Sequence, residues 1–273
     1  MNGAFAVGPF AVPHSLLLVL VLAVGSGLVA KRIGKTLGVD IEPALWRTLL
    51  VGIVVARLGF VYEFRTAYLE APLGILDIRD GGWSPVAGFL GAWLYGLSRT
   101  RRDPIARKPM LWALWTASAV WTAGSIALAM ESGVAQKLPP LTLASLDGQT
   151  VDLQSFEGKP TVVNLWATWC PPCLREMPVL QKAQMTNSSV NFVFVNQGEE
   201  PRQVATWLFE RQLALRNVVL DAPRKVGAAL HQSAYPTTLF FDAKGTLVAT
   251  RVGELSHATL SQKLDQLKLA ETR

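Results

Sequence analysis

The chain has 273 residues, 50% of them hydrophobic and 17% charged, with a mean hydropathy of +0.29 and a formal net charge of +6. That is too apolar for one ordinary soluble domain and too charged for a pure membrane bundle, so two parts of different character are expected. The basic excess sits in the apolar part. Residues 1–137 carry 13 Lys and Arg against 8 Asp and Glu, while residues 138–273 carry 13 against 12, so the pI of 9.5 reflects membrane-loop charge and gives no case for a nucleic-acid partner.

Four apolar segments are expected to form transmembrane helices, at 15–30, 44–62, 84–97 and 110–130. The last has the length of a bilayer core, and the third is short. The first is not a signal peptide by pattern: no Lys or Arg precedes it, and Lys31, Arg32 and Lys35 follow it. Arg99, Arg101, Arg102, Arg107 and Lys108 follow the third segment, whereas the loop between the second and third is mixed in charge. With both basic loops in the cytoplasm, both termini lie outside. The expected setting is a multi-pass protein of the bacterial inner membrane with its second half in the periplasm. Arg57 falls inside the second segment, where an unpaired charge costs roughly 3 kcal/mol or more. Two readings stand side by side: a structural ion paired with Glu63, or a contact to a lipid headgroup or substrate. Arg47, nearer the end of that segment, reads as a snorkelling anchor.

The stretch 56–92, ARLGFVYEFRTAYLEAPLGILDIRDGGWSPVAGFLGA, resembles bacterial prolipoprotein diacylglyceryl transferases. Arg57, Leu58 and Gly59 match one part of that family's pattern, Pro72, Leu73 and Ile75 a second, and Gly81, Gly82 and Ser84 a third. Where the family places a histidine and two glycines, this chain has Pro85, Val86, Ala87 and Gly88. The resemblance therefore implies a degenerate, truncated scaffold without the transferase chemistry.

Residues 132–140, with Pro139 and Pro140, are expected to be a linker between a membrane domain at 1–131 and a second domain at 141–273. LTLASLDGQTVDL alternates on both sides of Asp147 and Gly148, the signal of a hairpin with a two-residue turn. Strands and helices then alternate: strand TVVNLWAT, a helix from 173 to 184, strand VNFVFVN, a helix over 201–212, strand NVVLD, a helix over 224–232, hairpin strands TTLFFD and TLVATRV, and a helix over 258–269. That alternation predicts an α/β layer with a mainly parallel sheet, mixed at the final hairpin.

The only two cysteines, Cys170 and Cys173, lie in WATWCPPCLREMP, directly after an apolar strand. A thiolate at a helix N-terminus faces unpaired backbone N–H groups and the positive end of the dipole, which lowers its pKa from ~8.5. This makes Cys170 the exposed nucleophile and Cys173 the resolving thiol. Pro171 and Pro172 remove N–H donors, and no histidine lies between the cysteines, which points to a reducing pair. A structural disulfide is the alternative, but closing so small a loop gains little entropy. Half of a zinc site is another, but three histidines scattered at 14, 231 and 257 do not complete a normal ligand set, so no metal and no cofactor are expected. Glu176, one turn past Cys173, reads either as a proton acceptor for that thiol or as a solvated helix residue. Trp169 reads as partner contact or packing. Tyr235, Pro236 and Thr237 read as a substrate-contacting turn, with a cis bond before Pro236 as the functional form and a trans turn as the other. His231 reads as a helix residue.

Together WATWCPPCLREMP, the Asp-Gly hairpin before it and YPTTLFFDAKG after it resemble the TlpA/ResA group of membrane-anchored, thioredoxin-like disulfide reductases. The expected architecture is thus about four all-α transmembrane helices followed by an α/β thioredoxin-like domain with a mixed sheet. The resemblance assigns Cys170 and Cys173 to the redox pair, Glu176 to the carboxylate after the motif and Pro236 to the cis-proline. It implies reduction of disulfides in extracytoplasmic proteins such as apocytochrome c or copper-site assembly proteins. Because 1–137 contains no cysteine, a separate membrane thiol donor of the DsbD/CcdA kind is expected. The same dithiol leaves open a disulfide-forming oxidase and a Cu(I)-holding metallochaperone.

Overall fold

The computed structural model describes residues 4–7, 10–70, 72–131 and 136–271. The chain divides into two compact units, His14–Gly133 and, with Met1–Pro13, Val134–Arg273. Strands β1 (Ala4–Val7) and β2 (Phe10–Pro13) pair antiparallel.

The helical unit holds α1 (His14–Thr36), α2 (Glu42–Glu63), the short α3 (Arg65–Glu70), a 3-10 turn at Pro72–Leu76, α4 (Pro85–Arg102) and α5 (Pro104–Glu131). Helix α1 packs on α5, and α2 on α4. The second pairing is close because its contact residues are small. A Cβ on Gly59 would lie 2.5 Å from Ala87 Cβ, and one on Gly88 would lie 3.0 Å from the Gly52 carbonyl. Among the described residues, three helices are long and apolar enough to cross a membrane, at Leu17–Thr36, Glu42–Glu63 and Pro104–Leu128. The expected fourth, at 84–97, is helical but is not one of them. Its helix α4 has only 18 residues and ends in Arg99, Arg101 and Arg102, which leaves too short an apolar stretch.

Arg57 does not pair with Glu63. Its Nη1 donates to Asp80 Oδ1 at 3.0 Å and to the Gly82 carbonyl at 2.8 Å. Its Nη2 reaches the carbonyls of Gly74 and Asp77, both at 2.8 Å, and Nε reaches that of Ile75 at 3.0 Å. All five guanidinium donors are thus used within the protein, and the residue is 7% exposed. No donor is left for a headgroup, so the structural reading holds with a different partner. The correction lies in the chain path: the loop folds back over α2 and brings Asp80, 23 residues on, to the cation. Gly82 has a packing requirement here, since a Cβ would meet the Phe60 ring at 2.4 Å.

The α/β unit contains β3 (Thr142–Ser145), β4 (Thr150–Asp152), β5 (Thr161–Trp166), α6 (Pro171–Thr186), β6 (Asn191–Gln197), α7 (Pro201–Glu210), β7 (Val218–Asp221), α8 (Lys225–Ala229), β8 (Thr237–Phe241), β9 (Leu247–Val252) and α9 (His257–Glu271). These seven strands form one sheet in the order β4-β3-β7-β6-β5-β8-β9. Only β5–β6 and β6–β7 are parallel; β8 runs antiparallel to β5, and hairpins close both edges. The sheet is mixed, but not mainly parallel as the alternation of elements suggested. Period and composition reveal strands, whereas direction is set by how each crossover returns.

The β3–β4 turn is also longer than two residues. Four residues, 146–149, separate the strands, with Ser145 N–H donating to the Gln149 carbonyl at 2.8 Å and Gly148 at φ +78°. Asp147 accepts from the Ser145 hydroxyl, which holds the wider loop. Residues 132–135 of the expected linker lie outside the described residues. The remainder is not free: Leu138 N–H donates to the Gly245 carbonyl at 2.8 Å, and Leu247 N–H to that of Gln136 at 2.8 Å.

Strand β5 is buried along its whole length. Val162 and Trp166 face a core with Met177 and Leu180 of α6, Val204 and Trp207 of α7, and Leu260 and Leu264 of α9. Val163 and Leu165 face a second core with Val193, Val219, Val226 and Phe241. A strand buried on both faces is a rigid platform for whatever follows it.

Arg57→Met removes the donors for four loop carbonyls and Asp80, a buried-pair loss on the order of 3–5 kcal/mol. Limited proteolysis of the full-length protein in detergent is expected to cut between 72 and 82 in this variant and not in wild type. Arg57→Lys, with three donors for five acceptors, should be cut at an intermediate rate.

Candidate active site

The site begins where β5 ends. Three residues, Ala167 to Trp169, carry the chain from Trp166 to Cys170, which is the N-cap of α6 in extended conformation. Pro171 and Pro172 open the helix, where their missing N–H groups would have had no helical partner. The first available donor is Cys173 N–H, which reaches Cys170 Sγ at 3.3 Å. Cys170 and Cys173 are joined in a disulfide. Both belong to the core cluster beside Trp166, Ala167 and Met177. Cys170 is only 3% exposed, so the expected open nucleophile is, in this oxidised form, almost covered. The cause is the rigid strand end, which tucks the N-cap against the apolar layer instead of lifting it away.

Glu176 is fully buried, and the solvated-helix reading is wrong. Asn164 Nδ2 donates to its Oε1 at 2.7 Å, and Leu255 N–H donates to its Oε2 at 3.0 Å. Burial, opposed in part by those two hydrogen bonds, pushes its pKa up from 4.5 to about 8. Its neighbour Arg175 points elsewhere and pairs with Glu254 at 2.6 Å.

The Tyr235–Pro236 peptide bond is cis. The Tyr235 ring meets the Trp169 ring edge to face at a centroid distance of 6.0 Å, and Trp169 is 59% exposed. The side chain of Thr237, expected to meet a substrate, is instead buried, with its hydroxyl donating to the Ala234 carbonyl at 2.7 Å. His231 lies beyond the end of α8 with φ +53°, not within the helix. No cluster of three or more His, Cys, Asp or Glu side chains is placed to hold a metal among the described residues.

Two residues escaped the sequence reading. Asn164, facing the helix from the middle of β5, donates to Glu176 and also to Thr238 Oγ1 at 2.9 Å. Glu199, 7% exposed in the β6–α7 loop, accepts from the backbone N–H of Thr168 at 2.7 Å and from its hydroxyl. The signal for the first was present: a lone amide in the apolar run TVVNLW must find a partner once buried. For Glu199 the pattern gave none.

Residues 133–267 match the Redoxin family. Over 136 residues the chain is 33% identical to the thioredoxin-like protein YneN of Bacillus subtilis, covering 48% of this chain and 78% of that protein. The chain belongs to the Redoxin family. It is similar to the thiol-disulfide oxidoreductase ResA of Bacillus subtilis, at 30% identity over 137 residues that cover 49% of this chain and 75% of ResA. A solved structure of a secreted Mycobacterium tuberculosis disulfide oxidoreductase homologous to E. coli DsbE aligns over 46% of this chain and 95% of its own, at 26% identity and a TM-score of 0.43. This Redoxin chain is a thiol-disulfide oxidoreductase with its cysteine pair at the strand–helix junction. Residues 14–132 lie outside the Redoxin match.

Glu176 gives a pH test. The folded protein holds a proton there up to about pH 8, whereas an unfolded chain releases it near 4.5. The group's stabilisation is therefore complete below about pH 4.5 and is lost as pH rises through about 8, with a slope of up to about 1.4 kcal/mol per pH unit. The urea midpoint of the oxidised α/β unit, read by pulse proteolysis of the full chain, should fall over that window. Glu176→Gln should flatten the fall.

Proposed function

We propose that this chain is a membrane-anchored reductase of protein disulfides, with 1–131 as the anchor, a linker at 132–140 and the redox domain at 141–273. The observation that carries the reading is the cysteine pair at the N-cap of α6, one turn before a buried carboxyl whose pKa burial raises to about 8. In the reduced state Cys170, as thiolate, attacks one sulfur of a substrate disulfide and the second substrate sulfur leaves as a thiolate. A mixed disulfide joins Cys170 to the substrate. Cys173 then attacks Cys170 Sγ, its proton passing to Glu176 in molecules where that carboxyl is ionised, a form that grows as pH approaches about 8, and the remaining substrate sulfur leaves as a thiolate. Two electrons pass to the substrate, and the pair ends as the disulfide seen here. Trp169 and the turn at Tyr235–Pro236 flank Cys170 and receive the substrate, with Thr237 contributing through its backbone.

Three apolar helices and the basic loops after α1 and α4 support an inner-membrane location with the redox domain in the periplasm. The substrates are extracytoplasmic proteins of the apocytochrome c or copper-site assembly kind. The absence of cysteine from 1–137 requires that two electrons return from a separate membrane thiol donor of DsbD/CcdA type. The N-terminal half is a diacylglyceryl transferase-like scaffold in which Arg57 holds the loop at 72–82 and has no catalytic part.

Acid quench and alkylation in cells should find the pair mainly reduced, and oxidised once the donor is deleted. A pair that stays oxidised in both backgrounds supports the disulfide-forming oxidase instead. Cys173→Ser should accumulate a mixed disulfide with substrate that dithiothreitol releases, and Cys170→Ser should not.

A further inference from the structure

The buried carboxylate of Glu199 lies 29 residues past Cys170 in sequence, yet it grips the turn that delivers that cysteine. Each oxygen takes two donors. Oε2 accepts from Thr168 N–H at 2.7 Å and from Asn196 Nδ2 at 2.6 Å; Oε1 accepts from the Thr168 hydroxyl and from Gln203 Nε2 at 3.0 Å. Two of the four donors belong to Thr168, in the three-residue connection between β5 and Cys170. The other two fix the carboxylate itself. Asn196 is the register partner of Trp166 on the parallel strand β6, so the residue that carries this amide sits level with the last residue of β5. Gln203 stands in the first turn of α7 and also reaches the Thr168 hydroxyl at 3.3 Å.

We infer that Glu199 is a positioning residue for the redox reaction, clamping Thr168 so that Trp169 stands against Tyr235 and Cys170 caps α6. The inference rests on Cys170 being the attacking thiol. Ala167 is buried in the core and its carbonyl accepts from Cys170 N–H at 3.3 Å, so the clamp on Thr168 adds the polar restraint to a segment whose apolar side is already packed. Trp169, largely exposed, makes its ring contact with a residue on another segment. The clamp supplies a fixed point one residue before Trp169 and two before Cys170. Since disulfide exchange needs the attacking sulfur in line with the scissile S–S bond, a small shift of this turn slows the reaction, and misplacement by an ångström can cost about a hundredfold.

The test is the second-order rate at which the reduced, full-length protein in detergent reacts with 5,5′-dithiobis(2-nitrobenzoate), a small disulfide that needs no protein docking surface. Glu199→Gln, the same size but with an amide facing donors, should slow the reaction roughly ten- to a hundredfold. Thr168→Val, which keeps the backbone donor and loses the hydroxyl, should slow it by roughly threefold or more, and Thr168→Ser should restore the wild-type rate. The double variant Glu199→Gln with Thr168→Val should be no slower than Glu199→Gln alone to within about twofold, because both act through one clamp. A Glu199→Gln rate within about twofold of wild type, or a double variant slowed by the product of the single effects, overturns the inference. If Glu199→Gln fails to fold, the Thr168→Val and Thr168→Ser pair still decides it: equal rates for both and wild type overturn the clamp. Failure of the reading that Cys170 is the attacking thiol would look different, as a rate unchanged by Cys170→Ser.

Discussion

The hydrogen bond from Cys173 N–H to Cys170 Sγ states the constraint on which this molecule depends: one sulfur must cap a helix and the other must lie in its first turn. A cap requires extended backbone at Cys170 and helical backbone immediately after it. Two prolines at the start of α6 enforce the second condition, and the end of a strand buried on both faces enforces the first. Because those prolines carry no N–H, Cys173 is the donor that can steady the charge when Cys170 is a thiolate. The apolar layers around β5 hold that geometry in place and also cover the cysteines.

The same burial explains the polar residues behind the pair. A carboxyl group in an apolar layer is far easier to hold as the neutral acid, and Glu176 accordingly keeps its proton well above the usual carboxylate range. Two hydrogen bonds and the charge of Arg251 favour its ionised form, but burial outweighs them, so it exchanges its proton around pH 8. Glu199 differs in its surroundings: four donors converge on it, and its job is mechanical. Each glutamate is held by an asparagine on the central strands, Asn164 on β5 and Asn196 on β6. The two amides thus tie the turn before the cysteines and the helix after them to one rigid platform.

The legible parts were those whose signal is local. The strand–turn–helix around CPPC could be read because an apolar run, an N-cap position and paired prolines lie within a dozen residues. The long helices of the first half could be read from composition, although α4 shows that a helical apolar run and a span are different things. What could not be read were partners remote in sequence. Glu63 is near Arg57 in the chain, but Asp80, 23 residues on, is its ion partner. Asn164 meets Thr238 across 74 residues, and Glu199 meets Thr168 across 31. Helical spacing put Glu176 one turn from Cys173 without saying that this face of α6 packs inward. Strand direction was hidden for the same reason, since β8 pairs antiparallel with β5 through a return path that no local pattern encodes.

The two cysteines have divided roles, set by their places in the helix. The decisive measurement reduces the protein, exposes it briefly to iodoacetamide across a pH series and locates the label by mass spectrometry. Cys170 should be alkylated first, with an apparent pKa below the ~8.5 of a free thiol, while Cys173 stays protected. Labelling of Cys173 first, or of both only above about pH 8.5, would contradict it.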